Sequence, residues 1–125
     1  MTPNELDSLL PLSPLSMAIL LALADSDRHG YGIIKEIERE SDGRLKPSAG
    51  SLYAALERLV RDGLIAQSTQ ARRQGDDPRR RYYRLTALGR RAARAEALRL
   101  AGLVGAAGRK KLLPGLTISC SEVES

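Results

Sequence analysis

A chain of 125 residues and 13.6 kDa has room for one compact domain, which excludes a large two-domain enzyme. Hydrophobic residues make up 42%, enough for a packed core, but four tyrosines are the only aromatics, so that core must come from Leu, Ile, Val and Ala, which suits helices better than a sheet sandwich. The formal charge of +5 is uneven: nine arginines and two aspartates between residues 72 and 94 give a local excess of +7 and leave −2 elsewhere, which points to a polyanion (nucleic acid or an acidic membrane surface) unless the block is a solvated face.

In chain order, Thr2, Pro3 and Glu5 form a capping box and open a short helix to about Leu10. Ser13 and Pro14 repeat the cap and proline. The helix they start carries Leu15, Ala18, Ile19, Ala22 and Leu23 on one stripe and Met17, Leu20, Leu21 and Ala24 on the other. Apolar nearly all round, it needs cover on both faces, and a partner subunit is the simplest source of the second. Asp25 to His29 read as a loop. A third helix runs from about Gly30 to Glu40, with Ile33, Ile34 and Ile37 inward. After a turn through Gly43 and Pro47, a fourth helix spans about Ser48 to Asp62, closed by Gly63 in the left-handed capping position. Leu64 to Ser68 and Arg80 to Leu85 read as two short strands, joined by turn residues that include Gly75, Asp76, Asp77 and Pro78. Thr86 caps a last long helix that reaches about Leu113, where Pro114 and Gly115 stop it. Gly102, Gly105 and Gly108 inside it each cost about 1 kcal/mol against Ala. Either the helix frays there or the glycines let another helix approach.

Helix, helix, turn, helix and hairpin is the order of a winged helix-turn-helix. On the helix of Ser48 to Asp62, the side opposite Leu52 and Leu56 presents Gly50, Ala54, Glu57, Arg58 and Arg61, flanked by Ser51 and Tyr53. Small, hydroxylated residues at a helix start permit close approach to a groove, and the free amides there suit phosphates. Glu57 would repel phosphate, and pairing with Arg61 is favoured over accepting from a cytosine amino group. The hairpin arginines suit backbone phosphates or a narrow minor groove. Arg90 and Arg91 sit where the helix dipole disfavours cations, so either a polyanion offsets that cost or water screens it. Alternation with Leu85 turns Tyr83 inward onto the core and leaves Tyr82 facing outward.

Catalytic inventories fall short. His29 is the only histidine and reads as a structural hydrogen-bonding residue, and Gly30 with Gly32 lacks the strand, the further glycine and the lysine of a phosphate loop. The carboxylates lie on solvated helix faces. Cys120 is the only cysteine, so neither an internal disulfide nor a thiolate metal site is expected, and a cytoplasmic location is the default. Leu15 to Ala24 is about half the length that crosses a bilayer, so no membrane anchor is expected.

The residues Leu12-Ser13-Pro14-Leu15, His29-Gly30-Tyr31-Gly32-Ile33 and Pro47-Ser48-Ala49-Gly50-Ser51-Leu52-Tyr53 resemble the PadR family of bacterial transcriptional regulators. The likeness continues through Leu56, Leu59 and Gly63-Leu64-Ile65 to Arg81-Tyr82-Tyr83-Arg84-Leu85-Thr86 and Gly89, covering roughly Leu12 to Arg94. It implies a mainly α fold with a small two-stranded β wing, a C-terminal dimerisation helix, and a two-fold dimer that binds a roughly palindromic operator and usually represses. The expected organisation is a short N-terminal helix over 1–11, a winged helix-turn-helix over 12–86, a dimerisation helix over 87–113 and a disordered tail over 114–125. Expected contacts to double-stranded DNA are Lys46, Ser48, Gly50, Ser51, Tyr53, Ala54, Arg58, Arg79, Arg80 and Arg81. Expected homodimer contacts are Leu15, Leu20, Leu88, Ala92, Ala95, Leu98 and Gly102. By the same likeness Tyr31 either approaches a phosphate or packs. Some family members bind planar drugs or phenolic acids near the dimer centre, in places through tryptophan; with no Trp or Phe here, the effector is left open and no cofactor or metal is expected. The competing reading is a winged helix used as a protein-docking module.

Overall fold

The computed structural model describes residues 3–68 and 81–113. Its elements are α1 (Pro3–Leu9), α2 (Pro14–Ala22), β1 (Arg28–His29), α3 (Gly30–Glu40), α4 (Ala49–Arg61), β2 (Ile65–Ser68), β3 (Tyr82–Leu85) and α5 (Ala87–Arg109). The helix starts follow from side-chain oxygens and nitrogens placed to take free amides. Ser13 accepts from Ser16, Ser48 from Ser51 and Thr86 from Gly89, each at 3.0 to 3.1 Å. At α3 the acceptor is His29 Nδ1, 3.1 Å from the Gly32 amide, the structural hydrogen bond expected of the lone histidine.

The ends of α3, α4 and α5 share one device. After α4, Gly63 takes φ +80° and its amide donates to the Val60 carbonyl, while Leu64 donates to Leu59. The same paired bonds close α3 at Asp42 and Gly43, and close α5 at Lys111, whose φ is 63°. The last helix therefore ends at Arg109, short of the expected Leu113, and it runs unbroken through Gly102, Gly105 and Gly108. Pro114 and Gly115, the tail, the Thr2 cap and the loop around Gly75 lie outside the described residues.

The sheet has three antiparallel strands in the order β1-β3-β2, not two. Arg28 pairs with Tyr83 and His29 with Tyr82, so the segment expected to be loop covers the second edge of β3. Two residues are too few to show an alternating pattern in the sequence, yet they satisfy amides and carbonyls that β3 would otherwise expose.

The core is built where α2, α3 and α4 meet: Ile19, Leu20, Ile33, Ile37, Leu52 and Leu56 are each at most 2% exposed. The need for a partner to cover α2 is corrected here. Its own chain supplies the cover from α3, α4 and α5, and Leu21 is the one large side chain of α2 left exposed. Thr86 locks α5 onto this core, its hydroxyl lying 2.6 Å from the Gly63 carbonyl oxygen and 3.0 Å from that of Leu64.

Candidate nucleic-acid interface

The two faces of α4 separate cleanly. Leu52, Ala55, Leu56 and Leu59 are buried, while Gly50, Ser51, Tyr53, Ala54, Glu57, Arg58 and Arg61 are exposed. A Cβ added at Gly50 would meet nothing within 4 Å, so the start of the helix presents a smooth, small surface. Lys46 and Ser48, just ahead of it, are also exposed. Arg81, exposed and close enough to act on Tyr83 together with Tyr53 and Glu57, stands beside this face, and these groups suit a groove in shape and phosphates in charge. Arg79 and Arg80 lie outside the described residues. Arg58, one turn beyond Ala54, also lines a cleft of about 320 Å³ with Leu12, Ser13, Ser16 and Asp62.

Glu57 faces outward with Arg58, and no ion pair joins it to Arg61 among the described residues. Its charge is felt instead by the Tyr83 phenol, which burial pushes above its ordinary pKa, with Tyr53 and Glu57 adding to the rise and Arg81 opposing it. Tyr83 thus sits at the junction of α4 and the wing. Tyr82 is buried as well, because the His29 ring covers it edge-on at a centroid distance of 5.3 Å. The outward position expected of Tyr82 is corrected here: β1 covers that side of β3, so both tyrosines are buried.

Ahead of α4, Tyr31 is 57% exposed and the Lys35 ammonium lies 5.3 Å from its ring centroid. The Tyr31 hydroxyl, then its charge and that of Glu38, hold Lys35 above its usual pKa, so this position stays cationic. Arg90, which is exposed, also has a partner within the chain: its guanidinium donates to the Ala24 carbonyl at 3.1 Å, just past the C-terminal end of α2, where positive charge is favourable. Arg28 does similar work, donating to the Ala22 carbonyl at 2.7 Å and standing 3.3 Å from Asp25 and 3.7 Å from Glu36. That network was not readable from spacing, since its partners are on separate elements.

The residues expected at a dimer contact divide into three groups. Leu98 and Gly102 are exposed; Leu15, Leu88 and Ala95 are half-buried. Leu20 and Ala92, at 0% exposure, belong to the chain's own core, so neither can meet a second copy without opening the domain. Their periodicity marked them as apolar-facing, which a core and an interface share. Among the described residues no group of His, Cys, Asp and Glu could hold a metal ion, and no helix is long and apolar enough to cross a membrane.

Residues 19–95 match the profile of the transcriptional regulator PadR-like family. The chain is 42% identical over 89 residues to an uncharacterized 37.1 kDa protein in transposon TN4556 of Streptomyces fradiae, a match that covers 71% of this chain and 24% of that protein. It therefore spans about a quarter of the length of that relative. The fold superposes on a transcriptional regulator from Clostridium thermocellum with a TM-score of 0.64 at 23% identity, covering 87% of this chain and 96% of the other. It also superposes on Bacillus subtilis PadR in complex with operator DNA, with a TM-score of 0.57 at 25% identity, covering 66% of this chain and 46% of that one.

Proposed function

Because the chain belongs to the PadR-like family of transcriptional regulators, we propose that it binds double-stranded DNA in the cytoplasm as a homodimeric repressor of a roughly palindromic operator. The observation that carries this reading is the outward face of α4: Gly50, Ser51, Ala54 and Arg58 are left open while the opposite side of the same helix holds the core together. The solved operator complex of B. subtilis PadR, a structural relative, supports DNA as the partner.

In this mechanism α4 enters the major groove, Lys46, Ser48 and Ser51 meet phosphates at its start, and Tyr53, Ala54 and Arg58 face the base edges. Arg79, Arg80 and Arg81 grip the neighbouring backbone. The exposed leucines of α5 bring two copies together so that their α4 helices stand about 34 Å apart, one helical turn of DNA. Binding DNA blocks transcription by occupying the operator, and the reaction needs no cofactor.

Selection of bound sequences from random duplex DNA tests this. A palindromic consensus is the expected result, and its affinity should fall on the order of a thousandfold between about 50 and 200 mM salt if about six phosphates or more are neutralised. Absence of enrichment would instead favour a winged helix that docks on protein.

A further inference from the structure

We infer that Gly30 is a positioning residue for Tyr53: the side chain that glycine lacks is the seat on which the Tyr53 ring rests, and this fixes where α4 holds the phenol against DNA. The inference rests on α4 being the DNA-facing helix. A Cβ built at Gly30 would lie 2.6 Å from Tyr53 Cζ and 3.0 Å from Cε1, with the hydroxyl oxygen nearer still. No side chain larger than hydrogen fits there while the ring stays put.

Backbone conformation does not explain this glycine. Gly43 and Gly63 have φ of +78° and +80°, whereas Gly30 is not among the positive-φ residues and opens α3 in an ordinary helical conformation. Alanine would be the better helix former at such a place. Gly50 offers the contrast, with open space around it and therefore no neighbour to seat. What distinguishes Gly30 is the ring above it.

The seat is itself held firmly. His29 precedes it, paired in the sheet with Tyr82 and capping α3 through Gly32, so Gly30 is fixed relative to β3 and the wing. Tyr53 remains 48% exposed, with the hydroxyl end of its ring set against the glycine. A ring immobilised before DNA arrives loses less freedom on binding than one that sweeps several rotamers, so the seat converts contact into affinity. It also ties the recognition helix to the wing, through α3 and β1.

The atom that alanine would strike is the far end of a side chain that can swing into solvent, so Gly30→Ala should move Tyr53 rather than unfold the domain. The test is a double-mutant cycle on the duplex enriched by selection, with Gly30→Ala, Tyr53→Ala and the double variant. Gly30→Ala should keep the wild-type far-UV spectrum and bind on the order of tenfold more weakly. Tyr53→Ala should lose at least as much, and the double variant should bind no more weakly than Tyr53→Ala. Equal losses from Gly30→Ala in both backgrounds would overturn the inference, as would wild-type binding by Gly30→Ala or by Tyr53→Ala. If Gly30→Ala unfolds, the double variant should refold because the ring is gone; a double variant that also unfolds overturns it. Ser51→Ala and Arg58→Ala separate this inference from its premise. Should they weaken binding while Tyr53→Ala does not, α4 remains the DNA helix and the seat alone fails; should none of the α4 variants change affinity, the premise falls.

Discussion

The two halves of α5 share a helix but not a role. In the first, Gly89 lies under the Leu64 carbonyl, so close that a Cβ would collide with it and would come within 2.8 Å of Leu85 Cδ1, while Ala92 and Glu96 are 0% and 2% exposed. In the second, Leu98 and Leu103 are 59% and 57% exposed, and a Cβ at Gly102 or Gly108 would meet nothing within 4 Å. The first half is therefore part of the packed core domain. The second projects from it with leucines and glycines and little of its own chain beneath them. A helix of this composition is marginal without tertiary support, so its continuation to Arg109 fits the proposal that a second copy covers it.

Substitutions that add volume should divide along the same line. Gly89→Leu forces α5 away from the Leu64 carbonyl and should cost about 3 kcal/mol, the upper end for overpacking, measured as a lowered urea midpoint. An unchanged midpoint would mean that the first half is not locked to the core. Placing lysine at both Leu98 and Leu103 should leave the far-UV spectrum intact and shift sedimentation from dimer to monomer. Operator affinity should then fall about a hundredfold, because each half-site loses the advantage of a tethered second site. A variant that still sediments as a dimer would move the interface elsewhere.

The contrast also explains what the residue pattern could and could not reveal. The caps at Ser13 and Thr86 were legible because one side chain and a nearby amide make each of them, and the buried face of α4 was legible because burial repeats with the helical period. Those local signals located α4 and the face it leaves exposed. The strand Arg28–His29 was not legible, since two residues carry no period and its partner lies more than fifty positions away. Nor was the assignment of Leu20 and Ala92: an apolar stripe states that a face is covered, not whether the cover is the same chain or another. The Gly30 seat escaped for a similar reason, as Tyr53 is on a different helix and only their packing brings them together.

A smaller effect is expected at the junction that fastens the first half. Thr86→Ala removes the cap on the Gly89 amide and the hydroxyl contact with the Gly63 and Leu64 carbonyls. It should lower stability by about 1 kcal/mol in urea denaturation. The loss should be the same whether the second half carries leucines or the paired lysines, and a loss confined to the dimer would contradict the division of the helix.

The smallest effect is a pH dependence at the boundary between the halves, where Glu96 is buried on the first and Arg99 is exposed on the second. The Arg99 guanidinium binds both carboxylate oxygens, at 2.9 and 2.7 Å. Those bonds hold the carboxyl below its usual value of 4.5, burial opposes them, and the Leu12 amide adds to the lowering. The folded chain therefore binds this proton less readily than the unfolded chain. The resulting stability is complete above a pH of about 4.5 and is lost as pH falls through the lower folded value. Glu36, lowered by Arg39, acts with the same sign, so the wild-type profile alone does not isolate Glu96. Comparison with Glu96→Gln does: the variant should be less stable at neutral pH, and the gap between the two urea midpoints should narrow as the solution is acidified. A gap that stays constant down to about pH 3 would show that the glutamate holds the boundary by shape and hydrogen bonding, with no contribution from its charge.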